Sequence, residues 1–260
     1  MLRSILSVIG AYKLYEKWLW HQVKSGVKPE HIAVILDGNR RWASKRDLDP
    51  WYGHKEGAEK VEKLLEWCLK LNVKSITLYA FSTENFRRPP KEVEEIMRIA
   101  SEKLQRIITD ERIHKNKVRV KVIGRTNLLP ENLQKIIADV ERATQNYDRH
   151  FLNVAFAYGG RAEIVDAARK IAEKVQKKEL APEDVDEELF EQHLYTSHLP
   201  KQDPDLIIRT SGEERLSGFL LWQSAYSELC FLDVYWPDFR LIDLLRAVRT
   251  FQKRKRRFGA

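Results

Sequence analysis

Cysteine is scarce in this sequence. The two present among 260 residues, Cys68 and Cys230, are too few for a four-cysteine zinc site or a disulfide framework. Both stand in apolar contexts and are expected to be buried thiols in a reducing compartment, which points to the cytoplasm. Long hydrophobic runs are also absent, since no stretch reaches the ~18 apolar residues of a membrane span. The apolar stretch at 5–12 is short and has no cleavage site after it, which argues against a secretory signal. There is no internal repeat, no low-complexity tract and no Pro/Gly/Ser-rich linker, so a single domain is expected.

Charge is plentiful. Lys and Arg number 46 against 38 Asp and Glu, a net charge of +8, and the run Lys253-Arg254-Lys255-Arg256-Arg257 carries part of the excess. Such a balance implies an anionic partner: nucleic acid, an anionic membrane or phosphorylated small molecules. No nucleic-acid-binding motif accompanies it, and no nucleic-acid partner is expected. Hydrophobic residues make up 43 % of the chain, enough for a sizeable core. Residues 1–22 are amphipathic and aromatic, with Tyr12, Tyr15, Trp18 and Leu19 among Lys13, Glu16 and Lys17. This helix, assigned to 1–25, has two readings. It packs on the protein, or it lies as a peripheral helix on a membrane.

Short apolar runs at 32–36, 75–81, 118–123, 151–157, 206–208 and 230–234 alternate with stretches of helical periodicity at 58–69, 93–108, 133–143 and 162–175. Near-continuous apolar runs suit strands covered on both faces. The alternation predicts an α/β fold with one six-stranded, mostly parallel sheet flanked by helices. Ligands of such sheets bind beyond the carboxyl ends of the strands, so the residues after each run are the ones to read.

After the first run comes Asp37-Gly38-Asn39-Arg40-Arg41-Trp42. Asp-Gly is a turn signal. However, the polar segment 39–46 reads as a helix start, and unpaired N–H groups, glycine and two arginines together suit a diphosphate. A plain capped turn and a diphosphate cradle both remain open. Asp37 would repel a diphosphate unless a Mg²⁺ stood between them. After the second run, Ser82, Thr83, Glu84, Asn85, Phe86 and Arg88 bring hydroxyl, carboxylate, amide and guanidinium groups to a strand end. After the fifth, Arg209, Arg215 and Ser217 could clamp a second diphosphate, or form a solvated loop paired with Glu213 and Glu214. Glu228, just before the last run, is a helix or strand cap, half of a salt bridge, or a second metal ligand.

These segments in order resemble the cis-prenyltransferases of the undecaprenyl diphosphate synthase type. The likeness rests on His31 to Trp42, Gly53-His54-Lys55-Glu56-Gly57, Thr77 to Phe86, Asn153 to Arg161, Asp205 to Glu213 and Trp236-Pro237-Asp238-Phe239, and it runs from about residue 31 to 260. It implies a catalytic domain over 26–260 with an apolar tunnel for the growing chain. The implied activity is Mg²⁺-dependent head-to-tail condensation of isopentenyl diphosphate with an allylic prenyl diphosphate, farnesyl or geranylgeranyl. The product would be a long-chain cis-polyprenyl diphosphate, a lipid-carrier precursor.

By the same resemblance Asp37 is the Mg²⁺-linked aspartate. Gly38, Asn39, Arg40, Arg41, Trp42 and His54 form the allylic diphosphate site. Ser82, Thr83, Glu84, Phe86 and Arg88 align substrate. Asn85 stands where a proton acceptor has been assigned, although a neutral amide is a poor base and better suited to positioning. Arg209, Arg215, Leu216 and Ser217 match the isopentenyl diphosphate site. Glu228 matches the second metal ligand near a dimer interface. Arg257 and Gly259 match an Arg-x-Gly tail that crosses that interface. A homodimer is implied, with a non-catalytic partner subunit as the alternative. Two departures stand out: Pro50 replaces an expected arginine, for which Arg46 is the candidate substitute, and Phe86 replaces a tryptophan.

Overall fold

The computed structural model describes residues 11–254. Its centre is a sheet of six strands: β1 (His31–Ile35), β2 (Ser75–Ser82), β3 (Val118–Ile123), β4 (His150–Tyr158), β5 (Leu206–Arg209) and β6 (Glu228–Phe231). They lie in the order β3-β4-β2-β1-β5-β6, and every pairing is parallel. The expected "mostly parallel" sheet is therefore parallel throughout. β1 and β5 are buried at every position, as their unbroken apolar sequences require. β6 differs from expectation: it begins at Glu228 and ends at Phe231, and all four of its residues are only half-buried. Cys68 is buried as expected, whereas Cys230 on β6 is half-buried.

Helices cover both faces. These are α1 (Ala11–Ser25), α2 (Asn39–Ser44), α3 (Pro50–Leu71), α4 (Pro90–Ile107), α5 (Glu111–Lys115), α6 (Glu131–Thr144), α7 (Gly160–Gln176), α8 (Glu187–Glu191) and α9 (Leu241–Lys253). Pro50 and Pro90 open α3 and α4, where a missing N–H costs nothing and φ is already helical. The turn Thr83–Arg87 is a short 3-10 helix. α9, which the apolar-run pattern did not reveal, packs its buried face of Ile242, Leu244, Leu245, Val248 and Phe251 into the core. α1 lies against α9. Leu19 and Val23 are fully buried there, the Gln252 amide donates to the Val23 carbonyl at 3.0 Å, and Arg246 and Arg249 stack over Tyr15 and Trp18. No described helix is long and apolar enough to cross a membrane.

The topology fixes where a ligand can sit. From β1 the chain moves to β2 on one side, and it returns to β5 on the other. β1 is therefore the switch point of the sheet, and the crevice beyond its carboxyl end is the natural ligand site. Ile35 is in register with Tyr79 of β2 and with Arg209 of β5, so three strand ends meet there.

Candidate active site

Asp37 follows β1 by two residues and faces that crevice. Its backbone is pinned by Thr210: the Asp37 N–H donates to Thr210 Oγ1 at 3.1 Å, and the Thr210 hydroxyl donates to the Asp37 carbonyl at 2.7 Å. Its carboxylate accepts from Arg209 at 2.7 Å and from Arg41 at 3.3 Å. Burial works against the charged form, but the Arg209 hydrogen bond and charge, aided by Ser211 and Arg41, outweigh it and hold the carboxyl below its usual range. Asp37 is thus an ionised acceptor. Its side chain is 28 % exposed, against 5 % for Arg209.

Gly38 caps α2 with φ +102, a left-handed conformation that suits glycine. A Cβ there would stand 2.7 Å from the Tyr235 ring and 3.1 Å from Ser211 Cβ. The segment 37–39 is therefore a helix entry and not a hairpin. α3 presses against it so closely that a Cβ on Gly53 would lie 2.0 Å from the Asn39 carbonyl.

A cavity of about 620 Å³ opens at this point, lined by Asp37, Gly38, Asn39, Arg40, Arg41, His54, Ser82, Glu84, Asn85, Arg88, Arg209 and Ser217, with Tyr79 and Phe81 as its aromatic walls. Twelve of the residues read from the sequence are thus brought together. The Asn85 side-chain oxygen accepts the Ser82 N–H at 3.0 Å, so that lone pair is already engaged. Arg209 also donates to Ser217 Oγ at 2.9 Å and to the Arg215 carbonyl, which folds the 211–217 loop around its guanidinium. Ser211 and Ser217 take positive φ in that loop. Tyr79, pushed up to about 12 by burial, stays a phenol and donates to the Ser217 carbonyl at 3.3 Å.

Other expected residues lie outside this cavity. Trp42 turns away and donates its indole N–H to Asp238 at 3.0 Å. Arg46 stacks over the Trp42 ring and pairs with Asp238 at 3.3 Å, so it does not supply the cation missing at Pro50. Thr83 packs near Gly159, and Phe86 packs edge-on against Phe81. Leu216 belongs to a small apolar cluster with Tyr79, Tyr158 and Phe219. Arg215 is exposed and paired with Glu213. Glu228 pairs with Arg254 and is in register with Leu206, the first residue of β5. That is the amino end of the sheet, about 10 Å along the strands and two strands across from the Asp37 end. Within one chain the two carboxylates do not meet. Arg257 and Gly259 lie outside the described residues.

One central residue gave little sign of itself in the sequence. Glu92, near the start of α4 and 3 % exposed, accepts from His54 at 3.1 Å and Arg88 at 3.2 Å and pairs with Arg40 at 3.5 Å. Burial would raise its pKa, but these partners keep it below the usual carboxylate range. A single buried carboxylate thus orients three nitrogen-bearing side chains of the cavity. The only trace was the four-residue spacing from Arg88 to Glu92.

The charged cavity shares Leu36, Asn39, His54 and Ala80 with an apolar one of about 200 Å³ between α3, α4 and the sheet. Val61, Leu65, Ile96, Ile99, Leu152 and Phe156 are among its walls. A charged head site beside an apolar body site suits an amphiphile with an anionic end.

The comparisons with known proteins agree. The family model described as "Putative undecaprenyl diphosphate synthase" matches residues 35–259. The chain belongs to the undecaprenyl diphosphate synthase family. Its relatives include the tritrans,polycis-undecaprenyl-diphosphate synthase (geranylgeranyl-diphosphate specific) of Methanocaldococcus jannaschii, 56 % identical over 96 % of this chain and 89 % of the relative. The enzyme of the same name from Pyrococcus abyssi is 54 % identical over 96 % and 94 %. Among solved structures, lavandulyl diphosphate synthase from Lavandula x intermedia, in complex with dimethylallyl diphosphate, superposes with TM-score 0.85 at 38 % identity, covering 90 % of this chain and 99 % of that one. A probable undecaprenyl diphosphate synthase from Campylobacter jejuni gives TM-score 0.73 at 33 % identity, covering 90 % and 100 %. The chain is therefore a prenyltransferase of this family, with the family's single-domain α/β fold.

Proposed function

We propose that the chain condenses isopentenyl diphosphate head-to-tail with an allylic prenyl diphosphate to build a long-chain cis-polyprenyl diphosphate. The observation that carries this reading is the Asp37–Arg209 pair at the switch point of the sheet, set in a cationic cavity that adjoins an apolar one. Arg40, Arg88 and His54, held by Glu92, would take the allylic diphosphate with the help of the 38–39 backbone. Arg209 and Ser217, with Arg215 swung in from the surface, would take the second diphosphate through charge-assisted bonds. Glu84 and Asn85 stand between the two sites and would orient the reacting carbons.

Mg²⁺ fits this donor set. Asp37 and Glu84 both line the cavity, and one or two carboxylates plus substrate phosphate oxygens is how this ion is commonly held. Among the described residues no cluster of three or more His, Cys, Asp or Glu side chains forms a metal nest, which agrees with an ion carried in by a diphosphate. Mg²⁺ would neutralise the departing diphosphate as the C–O bond breaks. Asp37 would hold the ion, and Arg41 and Arg209 would keep Asp37 ionised. The double bond of isopentenyl diphosphate then attacks the allylic carbon, and the proton lost in forming the new double bond goes to the diphosphate, since the Asn85 oxygen is engaged.

We infer geranylgeranyl diphosphate as the primer, in preference to farnesyl, from the names of the relatives. We also infer a homodimer. Tyr226 is 70 % exposed beside the half-buried edge strand β6, and Glu228 on that strand could reach a metal only in a second copy. In such a dimer residues 26–260 would be the catalytic domain, the Arg257–Gly259 tail would complete the neighbour's site, and residues 1–25 would be an appended helix at the cytoplasmic membrane surface. The test is incorporation of labelled isopentenyl diphosphate by the isolated chain with Mg²⁺, with farnesyl and geranylgeranyl primers compared by mass spectrometry. Long products from geranylgeranyl diphosphate are expected. No incorporation with either primer would overturn the reading in favour of a non-catalytic partner subunit.

A further inference from the structure

We propose that the ion-pair network joining α3 to α4 and α5, centred on Lys103 and Arg112, sets the length at which the growing chain stops. This inference rests on the prenyl-transfer reading above. α3 starts at the charged cavity and runs away from it along the apolar one. Glu62 and Glu66 lie eight and twelve residues beyond His54, about 12 and 18 Å at 1.5 Å per residue. Both line the remote part of the apolar cavity, as do Lys103, Asp110 and Arg112. There the Lys103 ammonium donates to Glu59 at 2.5 Å and Glu62 at 2.7 Å. The Arg112 guanidinium donates to Glu66 at 2.6 Å and Asp110 at 2.7 Å, and reaches Glu62 at 3.5 Å. The network thus ties one wall helix to the other across the far end of the cavity.

Size makes this seam matter. A space of about 200 Å³ is below the roughly 300–1,000 Å³ of ordinary small-molecule sites, so a polyprenyl chain of many units cannot lodge there without displacing a wall. The sheet wall, with Leu152 and Phe156, is tied by parallel ladders on either side. The α3–α4 wall is tied at its far end by half-exposed ion pairs, which contribute little individually and can part. An advancing apolar tail must separate those charges and leave them beside hydrocarbon, a cost that rises with each unit added. Addition stops where that cost cancels the gain from burying one more unit.

The test is the product distribution from geranylgeranyl diphosphate and excess isopentenyl diphosphate, read by mass spectrometry for the parent, Lys103→Met, Arg112→Met and the double variant. Each single variant is expected to move the product maximum up by at least one isoprene unit, the double variant further, and Lys103→Arg to keep the parent's maximum. The rate of the first addition, measured with limiting isopentenyl diphosphate, should stay within about twofold, because no network residue touches the charged cavity. If Lys103→Met does not fold, Arg112→Met carries the same test at a more exposed position. Unchanged or shorter products with normal incorporation would overturn this inference alone. Absence of any incorporation by the parent would overturn the prenyl-transfer reading and this inference with it.

Discussion

Glu92 decides how three side chains of the cavity stand. Glu92→Gln keeps the shape but removes the charge shared by Arg40, His54 and Arg88. Misplacing binding groups by about 1 Å can cost up to a hundredfold, so this variant should raise the KM for the allylic diphosphate about tenfold or more. The KM for isopentenyl diphosphate should barely move, because Arg209 is held by other partners. Steady-state kinetics with each substrate varied in turn checks this; equal rises in both would point to a general loss of packing. The sequence exposed the chemistry of Asp37 and Arg209 because both stand directly after apolar runs. It hid Glu92 because a carboxylate on a charged helix looks like any solvated residue until its burial is known. It also misdirected attention to Arg46 and Trp42, whose commitment to Asp238 depends on a residue about 190 positions away.

Between β1, β2 and β4 runs a buried polar chain: His31 Nε2 to Thr77 Oγ1 at 2.8 Å, Asn153 Nδ2 to the same oxygen at 3.1 Å, and His198 Nε2 to Asn153 Oδ1 at 2.7 Å. Burial lowers both histidines to about 4, so the fold keeps them neutral while the unfolded chain binds protons near 6.5. In that window the unfolded state carries more protons, and stability rises with pH. Urea unfolding should therefore show lower stability at pH 5 than at pH 7, and His31→Gln should flatten the difference. A pH-independent midpoint would contradict this account. The strands and long helices were legible from apolar periodicity, since period and burial coincide there. The ends were less so: β6 begins two residues earlier than its apolar run because pairing with β5 recruits Glu228, and α9 reads as charged although one face is wholly buried.

Across the whole molecule the unresolved pairing is Asp37 with Glu228, which stand at opposite ends of the sheet. If a metal is shared between copies, co-expressed Asp37→Ala and Glu228→Ala chains would regain about a quarter of parent activity: statistical mixing makes half the dimers mixed, and each mixed dimer holds one intact site. No recovery, in a pair shown by sizing to be dimeric, would place the two groups in separate roles. The fold and the head site were readable because each local segment carries its own signal, whereas the dimer, the depth of the apolar cavity and the network at its far end depend on contacts between distant segments. The central claim is that an ionised Asp37 at the β1–β5 switch point drives prenyl transfer, and Asp37→Asn tests it most directly. In a single-turnover assay of isopentenyl incorporation with saturating Mg²⁺, the account predicts loss of about a thousandfold in rate, the scale of removing one transition-state charge stabiliser, with an unchanged circular dichroism spectrum. A folded Asp37→Asn protein that turns over at near the parent rate would contradict it.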